Sequence, residues 1–379
     1  LSELGAHHIH AHLEIDGFVQ SEDGILKILE LEEARYHEML RKGIAAVKTA
    51  LKNTPLDSRQ INDEILFRLS EERGLNPDMV VSIAKELGWQ NLEVRVGFTA
   101  DMAARNALMT KTASKTKDRK PVFEISDIEP TQSDFYEDTG ALEFQAEVLH
   151  CIPLTKDMIS GLAFSGEVES IPSYAVVTDR TLFYPEGGGQ LGDQGRLLQD
   201  GNEYEVLDTK SQDGVIFHFT ENPLAPGKVK GILDWDRRKQ LMDHHTAVHI
   251  VGGAARNILG PHIWQAGSNK GARYARLDIT HHSRLTRHEI EAIEDLANSI
   301  VESNPKIKKE VLERSEADRK YGFDIYQGGP PKHNRIRVIS IGDFDIQACG
   351  GTHHDQASNI GELRILKSSQ VQDLSLIHI

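Results

Sequence analysis

The spacing of apolar residues changes along the chain, and each spacing predicts a different kind of element. In residues 21–53, apolar side chains recur every three to four positions, which places them on one face of an α-helix. They are Leu29, Tyr36, Leu40, Ile44, Val47 and Leu51. A second helix is predicted for residues 60–73, and a third begins with Asn76 as N-cap and Pro77 at its first position and ends at Gly88. The N-terminal part is therefore predicted to be a helical domain.

From residue 141 onward the apolar positions alternate, which is the pattern of half-buried β-strands. Asp-Gly pairs at residues 200–201 and 213–214 are typical of tight hairpin turns between such strands. The segments that predict strands are FQAEVLH, SYAVVT, RTLFYP, EYEVLD, VIFHFT and KVKGILDW. Together they predict an antiparallel meander or small β-barrel that ends near Trp235.

A helical pattern returns after Trp235, in one long segment that ends at Gly260. Thr286 and Glu289 have the spacing of a capping box, which predicts the start of another helix. Strands are predicted for IRVISI, FDIQA and ELRIL. The predicted fold class is therefore α+β, with an N-terminal helical domain, then a small antiparallel β-barrel, then an α/β core.

These patterns divide the chain into a helical domain at residues 1–90, a connector at 91–140, a β-barrel at 141–235 and a core at 236–373. Within the connector, residues 111–121 (KTASKTKDRKP) are basic and polar, with no apolar period. They predict either a solvated loop or a patch that contacts phosphate, and the loop is the favoured interpretation.

Composition and charge narrow the class of protein. With 39% hydrophobic and 27% charged residues, the chain is expected to be soluble and globular. The formal net charge of −15 argues against a general DNA coat, although a local basic patch could still bind another nucleic acid. The two cysteines cannot build a disulfide framework, and no apolar run is long enough to span a bilayer. We therefore expect a cytoplasmic protein with neither DNA nor a membrane as its partner.

The two ends of the chain indicate a piece of a longer protein. Leu1, rather than Met, begins the sequence in the middle of a pattern. The last six residues, LSLIHI at 374–379, look like a translated sequencing adapter. We therefore expect them to be an artefact that lies outside the fold.

A pair of histidines lies in the long helix predicted after Trp235. His245 and His249 are four residues apart, so both rings project from one face, as in helices that grip a metal. His244 cannot face the same way. An isolated pair of this kind is typical of an ordinary helix surface. In a zinc peptidase a glutamate would follow the first histidine as general base, and Thr246 stands there instead, so peptidase chemistry fits poorly.

Cys349 changes the interpretation of that pair. Cys349 and His353 repeat the four-residue offset, and Gly350 and Gly351 between them permit a tight turn. Two such pairs supply a thiolate and three imidazoles, a donor set that suits tetrahedral Zn²⁺. Without a metal, Cys349 would be a small buried residue at the end of a strand. The four-ligand interpretation is favoured, and His354 is the alternative to His353 as the fourth ligand.

A glycine-rich segment, FYPEGGGQLGDQG at residues 183–195, contains a predicted strand and the loop after it. Glycines let backbone amides approach a ligand closely, and three consecutive glycines exceed what a plain turn needs. The segment is not a phosphate-binding P-loop, because the Gly-Lys-Ser/Thr ending is missing. Two interpretations remain, a wide hairpin loop or a loop that cradles a ligand, and the second is favoured.

Taken in order, the three motifs resemble the editing domain of the alanyl-tRNA synthetases. Members of that family carry a Gly-Gly-Gln-x-x-Asp loop, a His-x-x-x-His pair and a Cys-x-x-x-His pair, which GGQLGD, HTAVH and CGGTH match here. LELEEARYHEMLRKG resembles the tRNA-recognition domain of that family, so the resemblance covers nearly the whole chain. Further stretches that resemble the archaeal-type members are DWDRRKQLM, WQAGSNKG, ARLDITHH, LANSIV and KYGFDIYQGG.

The resemblance implies a role for each motif residue and a zinc-containing editing core. The side chains that match the zinc ligands are His245, His249, Cys349 and His353. The candidate catalytic residues are Gln190, which matches the glutamine associated with editing, with Thr246 and Asp193. The candidate substrate-binding residues are Gly187, Gly188 and Gly189. The sequence departs from the family pattern at Val248, which is apolar, and at His354, which could compete for the metal.

The activity implied by the resemblance is zinc-dependent hydrolysis of serine or glycine from mischarged tRNA(Ala). The helical domain would hold the acceptor end of the tRNA. The ligase core, with its ATP and Mg²⁺, would lie before Leu1, and the oligomerisation region would lie after residue 373, so the chain would edit without charging. One alternative is a free-standing editing hydrolase, which would normally lack the helical domain. Another is a non-catalytic, zinc-stabilised RNA-binding module whose metal is closed by four protein ligands.

Overall fold

The structure of the protein, a computed structural model, describes residues 22–73, 75–95, 98, 122–136, 140–162, 164, 167–168, 170–329, 334–371 and 374–379. The chain divides into two compact units, Leu1–Arg119 and Lys120–Ile379. The basic stretch at residues 111–121 lies outside the described residues. The domain limits at residues 90, 140 and 235 stay predictions.

Helices form most of the described part of the first unit. They are α1 (Glu22–Ala50), α2 (Asp63–Arg73) and α3 (Pro77–Glu86). The Asn76 side chain accepts a hydrogen bond from the Met79 amide at 2.8 Å and Pro77 occupies the first helical turn, so the predicted start of α3 is confirmed. Val47 of α1 is fully buried as its spacing predicts, whereas Ile44 is 40% exposed.

The first half of the second unit is mostly strand. Its elements are β1 (Gln132–Ser133), β2 (Glu143–Pro153), α4 (Lys156–Leu162), β3 (Tyr174–Thr178), β4 (Arg180–Thr181), β5 (Gly195–Gln199), β6 (Asn202–Val206), β7 (Asp208–Gln212), β8 (Val215–Thr220) and β9 (Gly227–Leu233). β1 and β4 form a short parallel pair. The other strands form a seven-stranded antiparallel sheet in the order β6-β5-β9-β2-β3-β8-β7.

This sheet is antiparallel, as predicted, and it is a curled half-barrel where the alternation predicted a meander or a small barrel. β6 and β7 are its two edges, and in the described residues they are not paired with each other. Only Leu207 separates β6 from β7 along the chain. The two edges of the sheet therefore lie close together at this residue, which requires the sheet to curl. Both predicted hairpin turns are present, with positive φ angles at Asp200 (51°), Gly201 (80°), Asp213 (48°) and Gly214 (88°).

The second half of this unit alternates helices and short antiparallel sheets. Its elements are α5 (Trp235–Leu259), β10 (Gln265–Lys270), β11 (Ala275–Thr280), α6 (Arg287–Ser303), β12 (Ile307–Glu313), α7 (Arg314–Tyr321), β13 (Arg335–Ile341), β14 (Asp345–Ala348), a 3-10 turn (Ala357–Ile360), β15 (Lys367–Val371) and β16 (Leu374–His378). The capping box of Thr286 and Glu289 is present at the start of α6, as predicted. The described fold therefore mixes helices and antiparallel sheets, and none of the described helices is long and apolar enough to span a membrane.

Residues 374–379 pair with the rest of the second unit, although we expected them to lie outside the fold, and their origin as an artefact stays a prediction. β16 pairs antiparallel with both β11 and β15. Ile377 is fully buried in the core cluster that also contains Ile250 of α5 and Ile293 of α6. Because side chains alternate along a strand, Ser375, Ile377 and Ile379 share one face of this segment, and that face is buried.

Candidate metal centre

Four side chains from two parts of the second unit converge on one point. His245 and His249 project from α5, and Cys349 and His353 lie in the turn that follows β14. Their ligand atoms all lie within 4.8 Å of one another. The Cys349 sulfur is 3.2 Å from His245 Nε2 and 3.4 Å from His353 Nε2. We call these four residues the His/Cys cluster, and it contains the four residues predicted as metal ligands.

Local structure explains how the two segments approach so closely. Both histidines lie on one face of α5, because residues four apart are neighbours on a helix surface. A Cβ atom built on Gly351 would lie 1.9 Å from Cε1 of His245, so only glycine fits at that contact. The Gly351 amide also donates a hydrogen bond to the Cys349 sulfur at 3.3 Å. The double glycine therefore brings the cysteine against the helix.

Two of the rings are oriented by acceptors behind them. The Nδ1–H of His245 donates to Oε1 of Gln190 at 2.7 Å. The Nδ1–H of His249 donates to Oδ2 of Asp345 at 3.2 Å. A hydrogen bond at Nδ1 fixes the tautomer, so Nε2 keeps its lone pair for a ligand. This arrangement is typical of histidines that bind metals.

His353 has a similar contact, which involves the predicted catalytic residue Thr246. The Thr246 hydroxyl is 3.1 Å from Nδ1 of His353, and both side chains are fully buried. Thr246 therefore contacts the cluster through a ring rather than by facing an open space. His354 lies outside the cluster, since its Nε2 is 2.6 Å from a carboxylate oxygen of Asp243. The structure thus places His353, not His354, with the other three candidate ligands.

Gln190 is the residue that joins the glycine loop to the cluster. Its side chain is fully buried, and both ends of the amide are engaged. Oε1 accepts from His245 and from the Thr352 amide at 3.1 Å, and Nε2 donates to the Thr352 hydroxyl at 2.9 Å. Gln190 thus links the loop, α5 and the segment after Cys349. The described contacts of the Gln190 amide therefore lie within the protein, and its catalytic role stays a prediction.

The three glycines form the tip of a tight turn. The amide of Gly187 donates to the Gln190 carbonyl at 3.0 Å, and the Gln190 amide donates back at 2.9 Å. Gly188 and Gly189 both have positive φ angles, 57° and 79°. A Cβ atom on Gly189 would lie 2.3 Å from the carbonyl oxygen of Ser268, whereas a Cβ on Gly188 would meet nothing within 4 Å. Gly189 therefore permits contact with β10, and Gly188 has open space in front of it.

Lys270 supports this turn and was not predicted from the sequence. Its ammonium group is buried and donates to the Gly188 carbonyl at 2.8 Å and to the Ser268 hydroxyl at 2.5 Å. Its amide donates to the Gly189 carbonyl at 2.7 Å. Burial lowers the pKa of Lys270 to about 8. Because β10 is mostly polar, its sequence has no apolar alternation from which the burial of Lys270 could be predicted. Only the tertiary structure shows its contacts with the turn.

Asp193, the third candidate catalytic residue, is engaged elsewhere in the fold. Its carboxylate accepts from the Arg238 guanidinium, with Nε 3.0 Å from Oδ1 and 2.9 Å from Oδ2, and from the Tyr184 amide at 2.6 Å. Asp193 and Arg238 are both almost completely buried. The described contacts of Asp193 therefore hold the loop to α5, and its catalytic role stays a prediction.

The charges of the cluster favour cation binding. Burial alone would raise the pKa of the Cys349 thiol, but its interactions with the imidazoles of His245, His249 and His353 hold that pKa well below its usual range. Burial lowers the pKa of His245 to about 4. Burial acts in the same direction on His249, but the Cys349 thiolate and Asp345 outweigh it and raise the pKa of His249 to about 9. The lowered pKa of Cys349 favours its thiolate, which is the form that binds a metal.

A cleft of ≈ 790 Å³ borders the glycine loop. Leu191, which follows Gln190, lies on one wall, and Asn269 of β10 lies on another. Arg273 and Tyr274 complete the rim, and the Tyr274 side chain is 49% exposed. The cleft therefore offers an aromatic ring and two arginines, Arg237 and Arg273, beside the loop. Its lining also includes three carboxylates, those of Glu167, Asp234 and Asp236.

Comparison with known proteins yields two family matches. Residues 10–237 match the family model described as "tRNA synthetases class II (A)", which covers more than half of the chain. Residues 336–373 match the model described as "Threonyl and Alanyl tRNA synthetase second additional domain". The second match contains Cys349 and His353.

The curated relatives are alanine–tRNA ligases. The chain is 39% identical over 357 residues to the one from Haloquadratum walsbyi and 37% identical over 363 residues to the one from Metallosphaera sedula. It is 39% identical over 380 residues to the one from Pyrococcus furiosus. These alignments cover 93%, 94% and 98% of this chain, but only 36%, 37% and 39% of the relatives. The chain therefore spans little more than a third of the length of the proteins that it matches.

Proposed function

Because the chain belongs to the class II (A) family of tRNA synthetases, we propose that its second unit removes serine or glycine from mischarged tRNA(Ala) by hydrolysis. One observation carries this proposal. The loop residue Gln190 contacts His245 of the His/Cys cluster at 2.7 Å, so the glycine loop and the four candidate ligands form one site. The match of residues 336–373 to an additional domain of threonyl and alanyl tRNA synthetases supports an editing-related role.

The chemistry of amino-acid selection supports the same reaction. A pocket built for alanine cannot strongly reject serine, which adds one hydroxyl, or glycine, which is smaller. A second site that hydrolyses the wrong ester corrects these errors. Serine offers that site a hydroxyl to bind, and alanine offers none. The bond broken is the ester between the amino acid and the terminal ribose, with water as the second reactant.

Zn²⁺ fits the donor set of the cluster. His245, His249, Cys349 and His353 would hold it through imidazole nitrogens and a thiolate, the ligands that zinc prefers. When bound, zinc supplies a Lewis acid that can polarise a carbonyl or a water molecule. The orientation of the rings by hydrogen bonds at Nδ1 is an independent reason for this assignment, since it directs the Nε2 lone pairs inward.

The residues around the cluster take roles that follow from their contacts. We assign Gln190 and Thr246 to positioning, because each contacts the ring of a candidate ligand. Asp193 would hold the loop against α5 through Arg238. Gly187 to Gly189 would present backbone groups to the aminoacyl ester, at the face where Gly188 is open.

The cleft beside the loop is our candidate for the end of the acceptor strand. Tyr274 offers a half-exposed ring on which a terminal base can stack, and Arg273 offers a cation for phosphate. The helices of the first unit would bind the acceptor arm. In the intact parent, ATP- and Mg²⁺-dependent ligation of alanine to tRNA(Ala) and oligomerisation would belong to regions outside this chain, and the protein would act in the cytoplasm.

Single-turnover hydrolysis of Ser-tRNA(Ala) and Ala-tRNA(Ala) by this chain tests the proposal. We expect faster release of serine than of alanine and no ATP-dependent charging. Cys349→Ala should abolish the release, whereas Cys151→Ala, which changes the other free cysteine in β2, should leave it intact. Equal rates for the two esters, or charging by the pure chain, would contradict the proposal.

A second function is supported by the number of candidate ligands. Four protein ligands close a tetrahedral zinc site, which is the pattern of structural rather than catalytic zinc. In that case the chain would be a zinc-stabilised RNA-binding module. It would bind zinc and tRNA(Ala) but release neither amino acid in the same assay. A free-standing editing hydrolase fits less well, because the chain includes the helical first unit.

A further inference from the structure

A second group of histidines lies outside the His/Cys cluster. His262 is in the loop between α5 and β10, and His281 and His282 follow the end of β11. Their ligand nitrogens lie within 4.8 Å of one another. We propose that these three residues, the triple-histidine group, form a separate site for a divalent transition metal that imidazole binds well, with Zn²⁺ as the biological ion.

The distances between the rings suit shared coordination of one ion. His262 Nε2 lies 3.0 Å from His281 Nδ1, and the ring centroids of His281 and His282 are 4.6 Å apart. Two nitrogens bound tetrahedrally to one zinc at normal bond lengths are separated by roughly 3.3 Å. Small movements of the rings would therefore let one cation replace the contact between His262 and His281. The third ring lies close enough to complete the set.

His281 is already oriented as metal-binding histidines are. Its Nε2 is 3.3 Å from the Ser283 hydroxyl, so the ring can donate there and direct its Nδ1 lone pair toward His262. His281 is buried and His262 is partly exposed. Both ring nitrogens of His282 are buried, although the residue as a whole is partly exposed. Three ligands would leave one position of a tetrahedral ion for water.

Thr280 fixes the two segments that carry these rings. Its hydroxyl donates to the His262 carbonyl at 2.7 Å and accepts from the Trp264 amide at 2.8 Å. Its own amide donates to the Trp264 carbonyl at 2.9 Å. The backbones on both sides of the group are thus held before any ion binds, which reduces the entropy lost on binding.

The proposed site is distinct from the His/Cys cluster in position and in chemistry. His249 is ten residues before Leu259, the end of α5, which corresponds to about 15 Å along the helix axis, and His262 lies beyond that end. The triple-histidine group also has no sulfur donor. The two sites therefore differ in a property that a spectroscopic metal can report.

Titration of the full chain with Co²⁺, followed by absorption, tests the inference. We expect two equivalents to bind: one with a thiolate-to-cobalt charge-transfer band from Cys349, and one without it. Cys349→Ser should remove the band and keep the second equivalent. His281→Ala should keep the band and lose the second equivalent.

Two further variants keep the result interpretable. His282→Phe, with its thermal melting point measured, repeats the test if His281→Ala unfolds, and His288→Ala removes an exposed histidine of α6 as the matched control. Zinc content should fall from two to one per chain in both His281→Ala and His282→Phe, and it should stay at two in His288→Ala. Binding of a single equivalent by the wild type, or two equivalents in both His281→Ala and His282→Phe, would overturn the inference.

Discussion

His218 in the half-barrel and His245 in the His/Cys cluster are equally buried, and they are used in different ways. The Nδ1–H of His218 donates to the Val176 carbonyl at 3.1 Å, and its Nε2 accepts from the Thr181 hydroxyl at 2.8 Å. His245 also donates through Nδ1, to Gln190, but its Nε2 faces the Cys349 sulfur. Burial alone therefore does not identify a functional histidine, whereas the direction of its second nitrogen does.

The same contrast separates two of the buried carboxylates, Asp193 and Asp345. Asp193 is paired with Arg238, so its charge is neutralised inside the fold. Asp345 orients the His249 ring, whose other nitrogen belongs to the cluster. The polar contacts around Asp193 are satisfied by neighbouring residues, whereas Asp345 orients a ring of the His/Cys cluster. Variants in each region can test whether this difference is real.

The largest expected effect is the loss of the metal from the cluster. Cys349→Ser replaces the thiolate with a hydroxyl that binds zinc weakly, and His249→Ala removes one imidazole. Each should lose the zinc of the His/Cys cluster, measured by metal analysis after removal of loosely bound ions. Cys151→Ser should retain it, because Cys151 lies in β2 and is not in the cluster. Unchanged zinc in both cluster variants would remove this site.

The second effect concerns the buried ion pair. Arg238→Met should leave the Asp193 carboxylate buried without its cation and lower the free energy of unfolding by about 3–5 kcal/mol. Arg287→Met, which breaks an exposed pair with Glu291, should leave the free energy of unfolding nearly unchanged. Denaturant melts measure both. If the two variants changed the free energy of unfolding equally, the buried pair would not stabilise the fold more than the exposed one does.

The third effect depends on pH and on His218. Burial lowers its pKa to about 4 in the folded chain, against 6.5 for the free side chain. The unfolded state therefore takes up this proton first, and stability falls as the pH drops from 6.5 to 4, by up to about 3 kcal/mol.

His218→Gln should remove this part of the acid dependence of the free energy of unfolding. His150→Gln, on an exposed position of β2, should leave the dependence unchanged. If the free energy of unfolding fell equally with pH in wild type and His218→Gln between pH 7 and 4, another group would be responsible for the loss of stability in acid.

The smallest effect is expected at Gln190. Gln190→Ala removes the acceptor that orients His245, and loss of such a partner weakens metal affinity by about 10- to 100-fold. Gln194→Ala, which loses only a bond to the Leu207 carbonyl, is the control from the same loop. Competition with a zinc chelator measures both. Unchanged zinc affinity with slower release of serine would instead place the Gln190 amide on the substrate, as the sequence pattern suggested.

Local features of the fold were predictable from the sequence. The N-cap of α3, the capping box of α6 and the two Asp-Gly turns depend on residues a few positions apart, and all are present. The strands that were missed, including β5 (GRLLQ), β7 (DTKSQ) and β10 (QAGSNK), contain polar or glycine residues that interrupt the apolar alternation. Such strands are held by neighbours across the sheet rather than by their own pattern.

By itself, the sequence determined which side chains could bind a metal, because the four-residue spacing of each His/Cys pair is a local property. Only the tertiary structure decided what surrounds them. The bond from Gln190 to Thr352 spans 162 residues and the bond from His249 to Asp345 spans 96. No spacing along the chain encodes such contacts, since they form only when α5, the glycine loop and β14 pack together. The same packing separated His353 from His354, because it turned one ring toward Cys349 and the other toward Asp243.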